Sequence, residues 1–342
     1  MARILVAMSG GVDSAAAASL LLEQGHACAG AYLELTGKTR DAEEARAIAG
    51  QLGMPFHAFD MRERFEREVV ARFTESYLRG ETPNPCVDCN RHIKFAAMLE
   101  QAQQLGYDAV ATGHYARVEC THGRFLLRKG LDPSKDQSYV LYTLTQAQLA
   151  RVRFPLGGMA KAQVREYALA RGFLNAQKKE SQDICFVPDG DYGAFLERYT
   201  GRPLPPGNFI DPQGHVLGRH RGTPRYTLGQ RKGLGLTLPR PGYVCGTDPA
   251  RGTVTAGEEA LLFGKTLHAR DVNLISCGAL AAPLRCKAKI RYRQAEQWAT
   301  AEQLGRDTLR VTFDEPQRAI TPGQAVVLYD GAYVVGGGTI HK

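Results

Sequence analysis

The chain has 342 residues, 44 % of them apolar and 23 % charged, a balance that excludes wholesale disorder and predicts two or three globular domains. Its formal charge is +8 and the excess is uneven: residues 1–200 carry 24 basic and 24 acidic residues, residues 201–342 carry 19 basic and 11 acidic. No apolar run approaches the roughly 18 residues of a membrane span, and the chain enters a strand directly from Met1 without a cleavable leader, so a cytoplasmic protein with mostly reduced cysteines and no membrane partner is expected.

Strand and helix alternate over the first 110 residues. Strands are expected at 3–8, 27–33, 55–59 and 108–112, and helices at 14–24, 41–52, 63–78 and 91–105, with Gly25 and Gly53 as stops. This pattern predicts an α/β, Rossmann-like domain with a parallel sheet and ligands at the carboxyl ends of its strands. A hairpin (116–119 with 124–128) and helices at 146–152, 163–170 and 192–199 follow. The Pro- and Gly-rich run 202–207 cannot be regular structure and marks a boundary. The expected division is a catalytic domain at 1–203, a small central β module at 204–267, and a C-terminal β-barrel at 268–342 with strands near 285–291, 309–313 and 325–329. Residues 212–247 contain Arg219, Arg221, Arg225, Arg231, Lys232 and Arg240 but no acidic residue, which suggests a polyanionic partner.

The first strand runs through Ala7 and Met8 into Ser9-Gly10-Gly11-Val12-Asp13-Ser14, and a helix follows at once. Glycines let the backbone approach a ligand closely, the helix start offers unpaired N–H groups and a positive dipole end, and Ser9 and Ser14 add hydroxyls, a combination suited to phosphate. Asp13 is expected to help position a magnesium ion on those phosphates. No Gly-Lys-Ser/Thr follows and no Gly-x-Gly-x-x-Gly is present, which excludes a Walker loop and a dinucleotide fingerprint. The segment resembles the PP-loop of the ATP pyrophosphatase superfamily, whose members split ATP between its α and β phosphates.

Two cysteine stations come next. Asn84-Pro85-Cys86-Val87-Asp88-Cys89-Asn90 lies before the helix expected at 91–105, and that helix start together with Arg91 and Lys94 is expected to lower the Cys89 thiol pKa. Ser181-Gln182-Asp183-Ile184-Cys185-Phe186 lies in an expected loop after Lys178 and Lys179. With these, with Ala111–Tyr115, Lys135–Tyr139, Thr227–Gly233, Arg291–Gln294 and Thr321–Gln324, the chain resembles the tRNA 2-thiouridylase family from residue 3 to residue 338.

That resemblance implies ATP-dependent 2-thiolation of the wobble uridine of tRNAs for Lys, Glu and Gln. The PP-loop domain would bind ATP with Mg2+ through Ala7, Met8, Ser9, Gly10, Gly11, Val12, Asp13, Ser14, Leu33 and Gly113. Asn84, Pro85 and Cys86 would line the pocket of the flipped base. His114, Lys135, Asp136, Gln137, Arg291, Tyr292 and Gln324 would touch tRNA, although Asp136 and Gln137 also read as turn caps and Gln324 as an ordinary turn residue. Cys185 would carry a persulfide received from a sulfur-relay protein or cysteine desulfurase, and Cys89 would be the second catalytic cysteine. Either Cys89 releases the product after the persulfide attacks the base or it first frees hydrosulfide, and both routes end in a Cys89–Cys185 disulfide that a reductant resets.

Two departures stand out. Residues 34–40 are shorter than the corresponding insertion of many relatives. Cys86 stands where some relatives have aspartate, which raises an alternative, a [4Fe–4S] cluster held by Cys86, Cys89 and Cys185, beside the plainer reading of Cys86 as a pocket wall. Cys28, Cys120, Cys245, Cys277 and Cys286 read as structural. An amidating ligase would need an ammonia channel or glutaminase domain, which the sequence does not contain.

Overall fold

The computed structural model describes residues 1–37, 39–173, 184–237 and 240–341. β1 (Arg3–Ala7) is apolar throughout because it lies mid-sheet, with Ile4, Leu5 and Val6 fully buried. It is followed by α1 (Val12–Glu23), β2 (Ala27–Glu34), α2 (Thr39–Gln51) and β3 (Phe56–Asp60). Two long helices, α3 (62–78) and α4 (85–104), each contain a π-helical stretch, at Glu66–Ala71 and Cys89–Ala97. Then come β4 (Ala109–Ala111), the hairpin β5 (Ala116–Thr121) and β6 (Arg124–Lys129), α5 (Gln146–Arg151), β7 (Val152–Arg153), α6 (Lys161–Ala170) and α7 (Tyr192–Thr200). The sheet order is β3-β2-β1-β4-β7 with every pairing parallel. Strand order reverses between β1 and β4, which opens a crevice at their carboxyl ends.

Two local expectations change. α4 starts at Pro85, not at 91, because Asn84 Oδ1 accepts the Cys86 N–H at 3.2 Å and Pro85 occupies the first turn, where its missing N–H costs nothing. Val152, expected at the end of a helix, instead pairs with Val110 in the edge strand β7.

The central module has β8 (Gly207–Ile210), β9 (Val216–His220), β10 (Tyr243–Asp248) and β11 (Thr253–Gly257), ordered β10-β11-β8-β9 around its own core of Phe209, Tyr226, Val244 and Val254. The last unit has β12 (Phe263–Leu274), β13 (Leu284–Lys289), β14 (Gln297–Gly305), β15 (Thr308–Arg318), β16 (Ala325–Asp330) and β17 (Tyr333–His341). Their order β12-β15-β14-β13-β16-β17 is closed by β12–β17 pairing, so the six strands form a barrel without open edges. β12 runs across position 268, and the β5–β6 hairpin of the first domain joins the barrel sheet through the Arg128–Tyr333 pair. One hydrophobic cluster spans both units, with Leu5, Val110, Leu127, Tyr139 and Tyr142 packed together with Val327, Tyr329 and Val334. No described helix is long and apolar enough to cross a membrane.

Candidate active site

The loop between β1 and α1 sits at the carboxyl ends of β2, β1 and β4, adjacent strands that supply Leu33, the loop itself and Gly113. Ser14 Oγ donates to Gly11 O at 2.8 Å and accepts the Ser9 N–H at 3.3 Å, which closes the loop over the helix start. Gly10 has φ +71°, and a Cβ there would stand 3.2 Å from Asp41 O. A Cβ on Gly113 would come within 2.9 Å of the Asp13 backbone, so only glycine lets β4 and the loop touch. The exposed Ser9 hydroxyl, the unpaired first-turn N–H groups and the α1 dipole fit a phosphate chain.

Asp13 is held by a residue that sequence reasoning missed. Lys161 Nζ lies 2.7 and 2.8 Å from its two carboxylate oxygens, and Tyr115 OH donates to Oδ1 at 2.8 Å. Lys161 opens α6 with its backbone N–H on Asp132 Oδ2, and its side chain is buried. Nothing in the local sequence marks this lysine, because 148 residues separate it from Asp13.

The second locus is the start of α4. Cys89 is 8 % exposed and belongs to an apolar cluster with Met61, Phe65, Val69 and Ile93, against which Leu33 and Phe186 pack. The expected acidification of Cys89 is overturned. Burial pushes its thiol up to about 12, Lys94 pulls it back only in part, and Cys185, Cys86 and Asp88 raise it further. Phe186, the chain neighbour of Cys185, packs against the cluster that contains Cys89, and Cys86 lies one turn before Cys89 on α4. Cys86 and Cys185 are exposed. Phe186 fixes Cys185 there, edge-on to Phe65 and Phe73 at 5.7 and 5.1 Å. Lys178, Lys179, Ser181, Gln182 and Asp183 lie outside the described residues.

The cysteines do not fit a cluster. Among the described residues no group of three or more His, Cys, Asp or Glu side chains is arranged to hold a metal ion, and Cys89 sits in apolar surroundings that oppose the thiolate.

The residues expected at tRNA divide. Gln324 lies against Thr82, two residues before Asn84, and Arg291 braces the loop that leads to Gln324. Gln324 Nε2 donates to Thr82 O at 2.7 Å, Thr82 N–H donates to Pro322 O at 2.8 Å, and Arg291 Nη2 donates to Thr321 Oγ1 at 2.7 Å and Ala319 O at 3.1 Å. Tyr292 leans on Tyr139 with ring centroids 5.9 Å apart. Elsewhere, Asp136 accepts the Gly130 N–H and the Ser138 N–H and hydroxyl, and Gln137 Oε1 accepts the Tyr115 N–H, as turn caps do. Lys135 is half-buried beside them. His114 is buried, bonded to Thr112 Oγ1 at 2.7 Å between Phe95 and Phe154, and burial with Lys94 nearby depresses its pKa well below the usual imidazole value.

Family models describe three successive segments: a tRNA methyl transferase HUP domain at 2–189, a tRNA methyl transferase PRC-barrel domain at 193–258 and an Aminomethyltransferase beta-barrel domain at 264–340. The tRNA-specific 2-thiouridylase MnmA of Carboxydothermus hydrogenoformans is 48 % identical, with 99 % of this chain and 98 % of that protein covered. Its namesake from Moorella thermoacetica is 50 % identical over 99 % of both chains, and that from Symbiobacterium thermophilum 47 % over 99 % of this chain and 92 % of its own. A phosphate-ready loop at the sheet's switch point, paired cysteine stations and full-length identity near one half together place this chain in the tRNA-specific 2-thiouridylase family.

Proposed function

We propose that the chain thiolates C2 of the wobble uridine in tRNA, at the cost of ATP cleaved to AMP and pyrophosphate. The observation that carries this reading is an exposed cysteine, Cys185, held by Phe186 beside the buried Cys89 in the same domain as the phosphate loop. An exposed thiol suits sulfur delivery from a protein partner, and a buried one suits a step that water must not intercept.

In the proposed sequence the uridine C2 oxygen attacks the α-phosphorus of ATP and pyrophosphate leaves. The terminal sulfur of a Cys185 persulfide then adds to C2 and AMP leaves. Cys89 attacks Cys185 Sγ, which breaks the S–S bond to the nucleoside, releases thiouridine and forms a Cys89–Cys185 disulfide. A dithiol reductant resets the pair. The alternative, in which Cys89 attacks the persulfide first and frees hydrosulfide, uses the same residues.

Asp13 is the carboxylate that would hold magnesium and Lys161 the cation that would meet the phosphates once the two separate. Magnesium would supply charge neutralisation on the triphosphate. Gln324, through Thr82, would keep the Asn84–Cys86 wall in place for the base, with Arg291 behind the Thr321–Gln324 loop.

The test is a thiolation assay with unmodified tRNA, Mg-ATP and a persulfide-generating desulfurase, read as 2-thiouridine by mass spectrometry. Product that requires ATP and disappears in Cys185→Ser supports the reading. AMP formation without thiouridine would leave adenylation and remove the sulfur assignment, and neither product would remove both. Lys161→Met is expected to lower tRNA-dependent AMP formation at least about 100-fold, in the range of lost preorganised charge at a reacting phosphate.

A further inference from the structure

β13 alternates basic and apolar residues. Cys286 and Ala288 point into the barrel and are buried, so Arg285, Lys287 and Lys289 stand in a row on its outer face. One end of this row is the tRNA-side cluster already described, where Lys289 Nζ lies 5.8 Å from the Tyr139 ring centroid and 6.0 Å from that of Tyr292. Each rung advances about 7 Å, so Lys287 stands about 7 Å and Arg285 about 13 Å beyond Lys289.

At the second rung lies the chain's single tryptophan. Trp298 pairs directly with Lys287 across β13 and β14, yet it is 50 % exposed. Arg285 Cζ is 4.8 Å and Lys287 Nζ 5.3 Å from the indole centroid. Asp314 grips Arg285 through two bonds of 2.6 and 2.5 Å, which holds the guanidinium beside the ring. Lys287 has no hydrogen bond or ion pair among the described residues, and neither does the Trp298 indole N–H. Exposure alone is common among the large apolar residues here, as at Val216 and Leu304, but Trp298 differs from them in its company. This one combines an open aromatic surface, an unpaired ammonium and an oriented guanidinium, the components that bind an unpaired nucleotide by stacking and phosphate contact.

We propose that the outer face of β13 and β14 is a second RNA contact, in which an unpaired base of tRNA other than the target uridine stacks on Trp298 while its flanking phosphates meet Lys287 and Arg285. This rests on the tRNA reading above. The occupant follows from the charge of the row, from its continuity with Tyr292, and from the eight-charge basic excess of residues 201–342 (19 basic less 11 acidic).

Because Trp298 is the only indole, its fluorescence reports this surface alone. Titration of the full chain with unmodified tRNA should quench the emission with the same midpoint as filter binding. Trp298→Ala should weaken tRNA binding about tenfold and Trp298→Phe much less, in line with loss of one stacked base. Lys287→Ala, a surface change that leaves the barrel core untouched, should lower the slope of log affinity against log salt by about one. Thermal midpoints of the variants establish that each is folded. Unchanged emission with tRNA bound, together with wild-type affinity in Lys287→Ala, overturns the proposal and leaves the tRNA reading intact. Intact tRNA binding by Lys287→Ala with lost sulfur-donor docking would assign the surface to a protein and overturn it equally. A wild-type chain that binds no tRNA on the filter overturns both.

Discussion

Side-chain burial sets Cys89 apart from Cys185, which is exposed. Cys89 lies in the second turn of α4 with Lys94 nearby, but desolvation outweighs the lysine and holds its thiol up near 12. Iodoacetamide at pH 8 is therefore expected to label Cys86 and Cys185 well before Cys89, with peptide mass mapping as the measurement and early Cys89 labelling as the contrary result. Asp88, one residue away, is also burial-dominated. Its carboxyl is raised from 3.8 to about 6, with Arg72 and Arg91 opposing the shift. A raised acid binds more protons folded than unfolded, so its contribution falls as pH climbs from about 4 to 6 and stays low above. Asp88→Asn should gain stability over the parent across that window, up to about 3 kcal/mol by pH 7 and near zero at pH 4, read from urea midpoints at both pH values. The same variant removes a charge that raises the Cys89 pKa, so it should also speed Cys89 labelling.

At the scale of elements, the Asn-Pro pair is a helix start. Asn84 Oδ1 caps the Cys86 N–H, and Thr82 is tied to the barrel through Pro322 O and Gln324 Nε2. Asn84→Ala should cost about 1 kcal/mol of stability through the lost cap. It should also impair thiolation more than ATP binding, because the first turn of α4 carries Cys86 and leads to Cys89; equal losses in thiolation and ATP binding would speak against this. α4 passes into a π-helical stretch at Cys89, where wider turns re-aim side chains relative to an ordinary helix, a feature common at functional sites.

Across the whole molecule, the first domain and the barrel share one core. Tyr139, Tyr142 and Leu127 pack with Val327, Tyr329 and Val334, and Tyr139 OH donates to Ala325 O at 2.8 Å. Calorimetry is expected to show these two units melting together, with the central module, which has its own core, free to melt apart. A chain cut after residue 203 should expose this apolar surface and bind a hydrophobic dye, and a compact, dye-free fragment with its own sharp transition would contradict the shared core.

Local patterns decided much of this protein. The alternation of strands and glycine-stopped helices through residue 112 and the glycine loop at 9–14 each depend on neighbours within a few residues, where backbone sterics and periodicity operate. The contribution of the tertiary structure lies where residues distant in sequence meet. Lys161 reaches Asp13 across 148 positions, and Gln324 reaches Thr82 across 242. Burial reversed the shift that helix position and local charge implied for Cys89, because desolvation depends on everything packed around a group. The β5–β6 hairpin joined the barrel for the same reason: strand pairing is settled by which unpaired edge the folded chain brings alongside, and no local pattern encodes that.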